Sequence, residues 1–173
     1  MDEIVKAALR KWPNVPHCYG WLALDARGEW YMRDDRIQHA GPFPQVKGSR
    51  IAHEKLLEFI FRNYACDERG AWFFQNGPQR VYVELEAAPW VWRVSDDFGV
   101  ASHTRLPALP KSAWLDEHGR LFLDTDLGFG LVHSMDMNPA SEAVECGRWQ
   151  PAELPFAQMP ARFGYTLRPV AEG

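Results

Sequence analysis

Short segments in which apolar and polar side chains alternate constrain this chain more than any other feature of its sequence. In residues 80–86 the apolar positions are Val81, Val83 and Leu85, with polar or amphipathic residues between them. Successive side chains of a β-strand point to opposite faces, so a period of two is typical of a strand with one buried face. Trp90 and Trp92 continue the pattern just downstream. The sequence therefore predicts short strands that bury bulky side chains on one face.

Turn signals separate these strands at short intervals. The clearest are Asp25–Gly28, Asn76-Gly77, Asp96–Gly99 and Asp116–Gly119. Glycine adopts the left-handed backbone that tight hairpins require, and aspartate hydrogen-bonds to nearby backbone groups. Short connections of this kind join antiparallel neighbours. We therefore predict antiparallel β-meanders.

One long amphipathic segment, residues 50–64, predicts the main helix. Leu56, Phe59, Ile60 and Tyr64 form a single apolar stripe, and Ser49 is placed to cap it. Shorter helices are predicted after Asp2 and over residues 139–146, whereas the glycine- and proline-containing residues 34–48 predict an irregular loop. The proline-rich segment after Trp149 is predicted to run as an extended chain over the surface.

An internal echo favours two related halves. Residues 21–30 and 114–121 both begin Trp-Leu and continue as D-x-x-G followed by a strand. Duplication of a hairpin motif and the ordinary frequency of such hairpins both explain this echo. The predicted fold is α+β, with antiparallel β-meanders in two related, repeated β-rich motifs and one main packed helix. We predict an N-terminal α+β region at 1–104 and a C-terminal β-rich region at 112–173, which share one core. Residues 105–111 contain two prolines and predict a linker between them.

Charge and composition narrow the classes of function. The formal net charge is −4 and lysine and arginine are scattered, so no basic stripe for nucleic acid is present. No apolar run is long enough for a membrane helix. The three cysteines form no C-x-x-C pair, which predicts free, buried thiols in a reducing compartment, the cytoplasm.

Several motifs resemble those of uncharacterised proteobacterial families of unknown function. They are C-x-G-x-L at 18–22, D-x-x-G-x-W-Y at 25–31, G-x-W-F-x-x-N-G-P at 70–78 and V-x-V-E-L-E-x-A-P-W at 81–90. The resemblance spans about residues 16–136 and implies repeated β-rich motifs, each with a packed helix. It also implies a ligand-linked signalling role, and it brings no catalytic residues.

Aromatic and glycine residues supply the candidate ligand site. Gly128 and Gly130 would let a ligand approach the backbone, and Trp90 and Trp92 lie on one strand face. The weaker polar candidates are His133, Asp124 and Asp126. The competing interpretation is that the tryptophans fill the core and the glycines only turn the chain.

A catalytic interpretation depends on Asp124 and Asp126. An apolar strand followed by D-x-D resembles the start of a haloacid-dehalogenase-type phosphatase, but the remaining chain is short and rich in proline. A calcium loop would place a bidentate glutamate where Met135 stands. The histidines and cysteines show no metal-ligand spacing, so we predict no metal, no cofactor and no catalytic residue.

We therefore expect a non-catalytic module of bacterial regulation that binds a small molecule or a protein partner. The alternatives are a small metal-assisted hydrolase that uses Asp124 and Asp126, and a protein–protein scaffold. Such a scaffold would form a homo-oligomer through a sheet edge or a tryptophan patch.

Overall fold

The computed structural model describes residues 1–172 of the chain, which divide into two compact units. The first unit comprises residues 1–25, 29–86 and 165–172, and the second comprises residues 26–28 and 87–164. Each unit contains one β-sheet with helices, so the predicted α+β class is confirmed. No helix among residues 1–172 is both long enough and apolar enough to cross a bilayer.

The first unit is built on a six-stranded sheet with the order β3-β2-β1-β6-β5-β4. Its elements are α1 (Glu3–Lys11), β1 (Cys18–Leu24), β2 (Trp30–Met32), α2 (Asp35–Ala40), β3 (Ser49–Arg50), α3 (Glu54–Arg62), β4 (Tyr64–Cys66), β5 (Trp72–Asn76) and β6 (Gln79–Leu85). The hairpins β1–β2 and β5–β6 are antiparallel as predicted, and β1 joins them by pairing parallel to β6.

The main helix is shorter than its apolar stripe predicted. Ser49 and Arg50 do not cap or begin α3, because they form β3 and pair with β2. His53 caps the helix instead, through its Nδ1, which accepts a hydrogen bond from the Leu56 backbone at 3.2 Å. The stripe still packs on the sheet, where the ring of Phe59 meets Phe74 edge-on at 5.5 Å.

Residues 34–48 were predicted to be irregular, but they contain α2. The Asp34 carboxylate accepts a hydrogen bond from the Ile37 backbone at 2.9 Å, which supplies an N-cap. Arg33 then anchors the following loop, because its guanidinium donates to the carbonyl oxygens of Gly41 and Val46.

The second unit is built on a seven-stranded sheet with the order β13-β10-β11-β12-β7-β8-β9. Its elements are β7 (Trp90–Val94), β8 (Val100–Ser102), β9 (Pro107–Ala108), β10 (Pro110–Leu115), β11 (Leu121–Thr125), β12 (Phe129–Val132), a 3₁₀ turn (Ser134–Asp136), α4 (Met137–Glu145), β13 (Ala152–Glu153), a second 3₁₀ turn (Phe156–Gln158) and α5 (Met159–Phe163).

The boundary between the units differs from the predicted one. Strands β7 and β8 were placed in the region 1–104, but parallel pairing of β12 with β7 incorporates them into the second sheet. Residues 105–111, which were predicted to be a linker, contribute β9 and the start of β10. Prolines are tolerated there because they lie in short strands at or near a sheet edge.

Both units have aromatic cores. The largest side chains with almost no exposure include Trp30 in the first unit and Trp92 and Phe122 in the second. The cysteines are free, as predicted, but their predicted burial is wrong for two of them. Cys66 and Cys146 are exposed, and Cys18 is half-buried.

The D-x-x-G sequence forms the same turn at three places. Asp25, Asp67 and Asp116 each begin a turn in which the aspartate and the residue four positions later join through their backbones. In each case the aspartate Oδ1 also accepts the backbone N–H of that later residue. The glycines have left-handed φ values of 79°, 82° and 74° at Gly28, Gly70 and Gly119. Duplication of the hairpin stays a prediction, since this turn chemistry produces the same geometry in any hairpin.

Candidate functional site

The two tryptophans of the predicted site, Trp90 and Trp92, are buried side chains of β7 in the second unit. Their rings stack at 6.0 Å, and their indole nitrogens donate to the carbonyl oxygens of Leu127 and Leu123. A Cβ atom on Gly130 would lie 2.5 Å from Trp92 Nε1. The absence of a side chain at Gly130 therefore makes room for the indole.

Gly128 has the same relation to Trp90, since a Cβ atom there would lie 3.0 Å from Trp90 Nε1. The structure thus brings Trp90, Trp92, Gly128 and Gly130 together as a packed group. Trp92 has no exposed surface, and Trp90 is 6% exposed. A ligand-binding role for this group stays a prediction.

His133 has a structural hydrogen bond. The side chain is buried, and its Nδ1 accepts from the Met135 backbone at 3.0 Å, where the 3₁₀ turn begins. Its role in binding a ligand also stays a prediction.

Of the two candidate carboxylates, Asp124 lies on β11 and Asp126 lies just after it. Asp124 lies opposite Ser112 in the register, and Asp126 holds the chain just before β10. Asp126 Oδ1 accepts from the Leu109 backbone at 2.7 Å, and the Asp126 backbone donates to the Leu109 carbonyl at 3.2 Å. Across residues 1–172, no group of three or more His, Cys, Asp or Glu side chains is arranged to hold a metal. The geometry thus gives Asp126 a positioning role beside β10.

Strand β10 has a partly open edge. β11 pairs along one side of it, from Pro110 to Leu115. On the other side β13 pairs with Trp114 and Leu115, and no strand in residues 1–172 pairs there with Pro110–Ala113. The opening arises because β13 contains two residues, whereas β10 contains six.

A cleft of about 590 Å³ lies along this open edge, and we call it the β10 cleft. One wall is the strand itself with the preceding Leu109. The facing residues come from the segment after α4 and from the turn after β7. The lining residues are Phe98, Leu109, Pro110, Lys111, Ser112, Ala113, Trp114, Arg148, Trp149, Gln150 and Ala152.

The β10 cleft is cationic, although the chain as a whole is acidic. Lys111 and Arg148 are exposed, and none of the lining residues is acidic. The Arg148 guanidinium lies 5.5 Å from the centre of the Phe98 ring. Asp97, next to Phe98, accepts hydrogen bonds from the Ser95 hydroxyl and the Gly99 backbone, which lower the pKa of its carboxyl, and Arg148 contributes a smaller electrostatic effect.

Aromatic side chains form the floor and flank of the β10 cleft. Trp149 is buried, and its backbone donates to the Ala143 carbonyl, which fixes the segment after α4. Trp114 is half-buried and donates from Nε1 to the Ser112 hydroxyl at 2.9 Å. The β10 cleft thus combines aromatic apolar surface, two cations and backbone groups that have no strand partner.

Sequence reasoning missed most of this site. The prolines of residues 105–111 predict a linker, which leaves Lys111 outside any predicted strand. Arg148 and Trp149 lie between the predicted helix at 139–146 and the predicted surface segment after Trp149, and the sequence pattern gave them no role. The available signal was the alternation of Lys111, Ala113 and Leu115 with Ser112 and Trp114, which continues the strand pattern back to Pro110.

Comparison with known proteins supports the fold and the family. A DUF1285 family protein from Silicibacter pomeroyi has a similar structure, with a TM-score of 0.51 and 12% sequence identity. The match covers 82% of this chain and 84% of that chain, and at this identity it concerns the fold alone. No curated protein matches the chain. The DUF2944 family, described as "Protein of unknown function (DUF2946)", matches residues 1–170, and the chain therefore belongs to this family.

Proposed function

We propose that the protein is a non-catalytic binding module whose β10 cleft takes up an extended acidic segment of a partner protein. The observation that carries this proposal is the coincidence of an open strand edge with a cationic cleft that has no acidic lining residue. An extended peptide that adds a strand to such an edge gains main-chain hydrogen bonds, and the side-chain surroundings supply specificity.

The open edge has backbone groups to offer. Along a regular strand, alternate residues point their N–H and C=O groups to the same side. The register with β11 shifts between Pro110 and Ser112, so the alternation is interrupted there, and the groups in residues 110–113 that face away from β11 have no strand partner. Pro110 has no N–H, so a partner strand would find donors only from Lys111 onwards. The cleft provides space on that side for a second backbone.

The positive charge of the β10 cleft favours an acidic partner. Lys111 disfavours pairing between two copies of this edge, because it would bring like charges together. An acidic strand has the opposite sign and would place carboxylates near Lys111 and Arg148. Such complementarity raises specificity and the rate of association more than affinity.

Apolar contacts would add affinity. Leu109 is 72% exposed at the wall of the cleft, and Trp114 presents a half-buried ring. Apolar side chains of a partner can cover these surfaces, since alternate residues of an added strand face the same way. We therefore expect alternating acidic and apolar residues in the partner.

We also propose a regulatory role in the bacterial cytoplasm. Two exposed free thiols, Cys66 and Cys146, fit a reducing compartment. A non-catalytic module that recognises a short acidic segment is suited to partner control rather than to chemistry.

Charge reversal tests the proposal. A short fluorescent peptide with alternating glutamate and valine is titrated into the protein and followed by fluorescence anisotropy. The double variant K111E/R148E is expected to bind it about 3- to 30-fold more weakly, because two exposed attractions become repulsions. Affinity for the wild-type protein should also fall as salt rises.

The matched control is Lys55→Glu, an exposed lysine on α3 in the first unit. It changes the net charge in the same direction and should leave the affinity nearly unchanged. A peptide with alternating lysine and valine should bind the double variant better than the wild type. Equal binding of the acidic peptide to the wild type and the double variant would refute the proposed site.

A further inference from the structure

A second cleft, in the first unit, has a different chemistry. Its volume is about 490 Å³, and we call it the Tyr82 cleft. Its walls come from the segment that leads into β1, from the turn after β4, and from β6. Its charged lining residues are Asp67, Arg69, Arg80, Glu172 and the exposed Glu68.

Asp67 is the fixed centre of this cleft. Its Oδ1 accepts the backbone N–H groups of Arg69 and Ala71, and its Oδ2 accepts the Tyr82 hydroxyl at 2.9 Å. Burial raises the pKa of the carboxyl, but the hydrogen bonds from Ala71 and Tyr82 outweigh it and hold the pKa below its usual range. Asp67 is therefore an ionised residue that organises the cleft.

Arg80 has hydrogen-bond donors to spare. One guanidinium nitrogen donates to the Tyr82 hydroxyl at 3.2 Å, and the guanidinium stacks 3.9 Å above the Phe73 ring. Among the ion pairs of residues 1–172, none includes Arg80. An arginine has five N–H donors in a planar fork, which suits a carboxylate.

Arg69 already holds a carboxylate of the chain itself. Its Nη1 lies 2.7 Å from Glu172 Oε1, whereas its Nη2 lies 3.6 Å from Asp67 Oδ2. The segment before Glu172 is anchored by backbone bonds from Thr166 to Gly70 and from Leu85 to Leu167. Glu172 itself is 77% exposed, so its pair with Arg69 is a weak surface interaction.

Flat rings surround these charges. Tyr19 stacks on Tyr82 with 4.7 Å between the ring centres, and His17 meets Tyr82 edge-on at 5.7 Å. Tyr19 is half-buried and His17 is exposed, so both present surface to the cleft. The combination of planar walls with guanidinium groups suits a planar anion.

We infer that the Tyr82 cleft binds a small planar carboxylate, with Arg80 and Arg69 as its donors and Glu172 as an internal competitor for Arg69. This site is independent of the β10 cleft. The ligand carboxylate would take the place of the Glu172 carboxylate at Arg69 and use the spare donors of Arg80. The ligand ring would lie against Tyr19.

Titration of benzoate, followed by ¹H–¹⁵N NMR spectroscopy of the full chain, tests the inference. Benzoate should shift the signals of Tyr19, Arg69 and Arg80, and benzylamine, which has the same ring but a cation, should not. Arg80→Gln should weaken benzoate binding about tenfold or more, since a charge-assisted pair is lost. Glu172→Gln should strengthen it about 1.5- to 5-fold, the range expected from one exposed ion pair.

Matched controls separate binding from folding. Glu145→Gln removes an exposed carboxylate on α4 in the second unit and should leave benzoate affinity unchanged. The spectrum of each variant shows whether it is folded, and Glu172→Gln changes only an exposed side chain. Failure of benzoate to shift these signals in both the wild type and Glu172→Gln would overturn the inference. Equal benzoate affinity in these two proteins would overturn the competing role of Glu172.

Discussion

Single aspartates fix the hairpins of this protein. Asp116 has a fully buried side chain, and its two oxygens accept the backbone N–H groups of His118 and Arg120 and the Arg120 guanidinium. Burial raises the pKa of this carboxyl, but the hydrogen bonds from Arg120 lower it by more, so the pKa lies below its usual value. The turn is therefore stabilised by the ionised Asp116 carboxylate through its hydrogen bonds with His118 and Arg120.

The depressed pKa of Asp116 predicts how stability depends on pH. A carboxyl whose pKa is lower in the folded state stabilises the fold above its unfolded pKa of about 3.9, and that stability is lost as pH falls through the folded pKa. At about pH 7 we expect Asp116→Asn to lower the free energy of unfolding by about 1–3 kcal/mol. At about pH 3 the difference from the wild type should shrink.

Urea unfolding at the two pH values measures this effect. Asp96→Asn, at an exposed turn position, is the control and should change the free energy of unfolding by less than about 0.5 kcal/mol. A cost for Asp116→Asn that is the same at both pH values would show that its charge contributes nothing.

At the scale of elements, caps decided where helices begin. Apolar periodicity located α3 correctly, but it could not show that Ser49 and Arg50 would pair with β2 and leave His53 to cap the helix. The pairing is a tertiary interaction, and local propensity does not encode it. For α2 a signal was present, since Asp34 precedes the helix and Gly41 follows it.

The cap of α2 gives a matched pair of variants. Asp34→Ala removes the acceptor of the Ile37 N–H and should lower the free energy of unfolding by about 0.5–2 kcal/mol. Asp35→Ala removes the neighbouring exposed carboxylate in the first turn, and this carboxylate makes no capping bond. It should lower the free energy of unfolding by only about 0.3 kcal/mol. Urea denaturation of both variants distinguishes them, and equal costs would argue against the cap.

The site shows the same limit of sequence reasoning. The alternation at 110–115 could have predicted a strand, but its open edge depends on the length of β13, about forty residues later. Arg148 lines the cleft beside Trp149, whose burial fixes the segment after α4. These contacts come from tertiary packing, so residue patterns along one segment do not encode them.

At the scale of the whole molecule, the sequence predicted the α+β class, but it did not predict which strands belong to each of the two units. Most strand pairs are antiparallel neighbours along the chain, which the hairpin turns predicted. The parallel pairs β1–β6, β12–β7 and β10–β13 join distant segments, and one boundary between the units falls between residues 86 and 87. Turn chemistry fixes only local pairing, so these long-range choices needed the structure.

In the proposed binding mode, an acidic strand pairs with the open edge of β10. Amide hydrogen exchange of the full chain, with and without the alternating glutamate–valine peptide, measures this pairing. We predict that the peptide slows exchange within Lys111–Ala113, because backbone amides there gain hydrogen-bond partners. Binding of the peptide with unchanged exchange in Lys111–Ala113, or with protection confined to other strands, would contradict the claim.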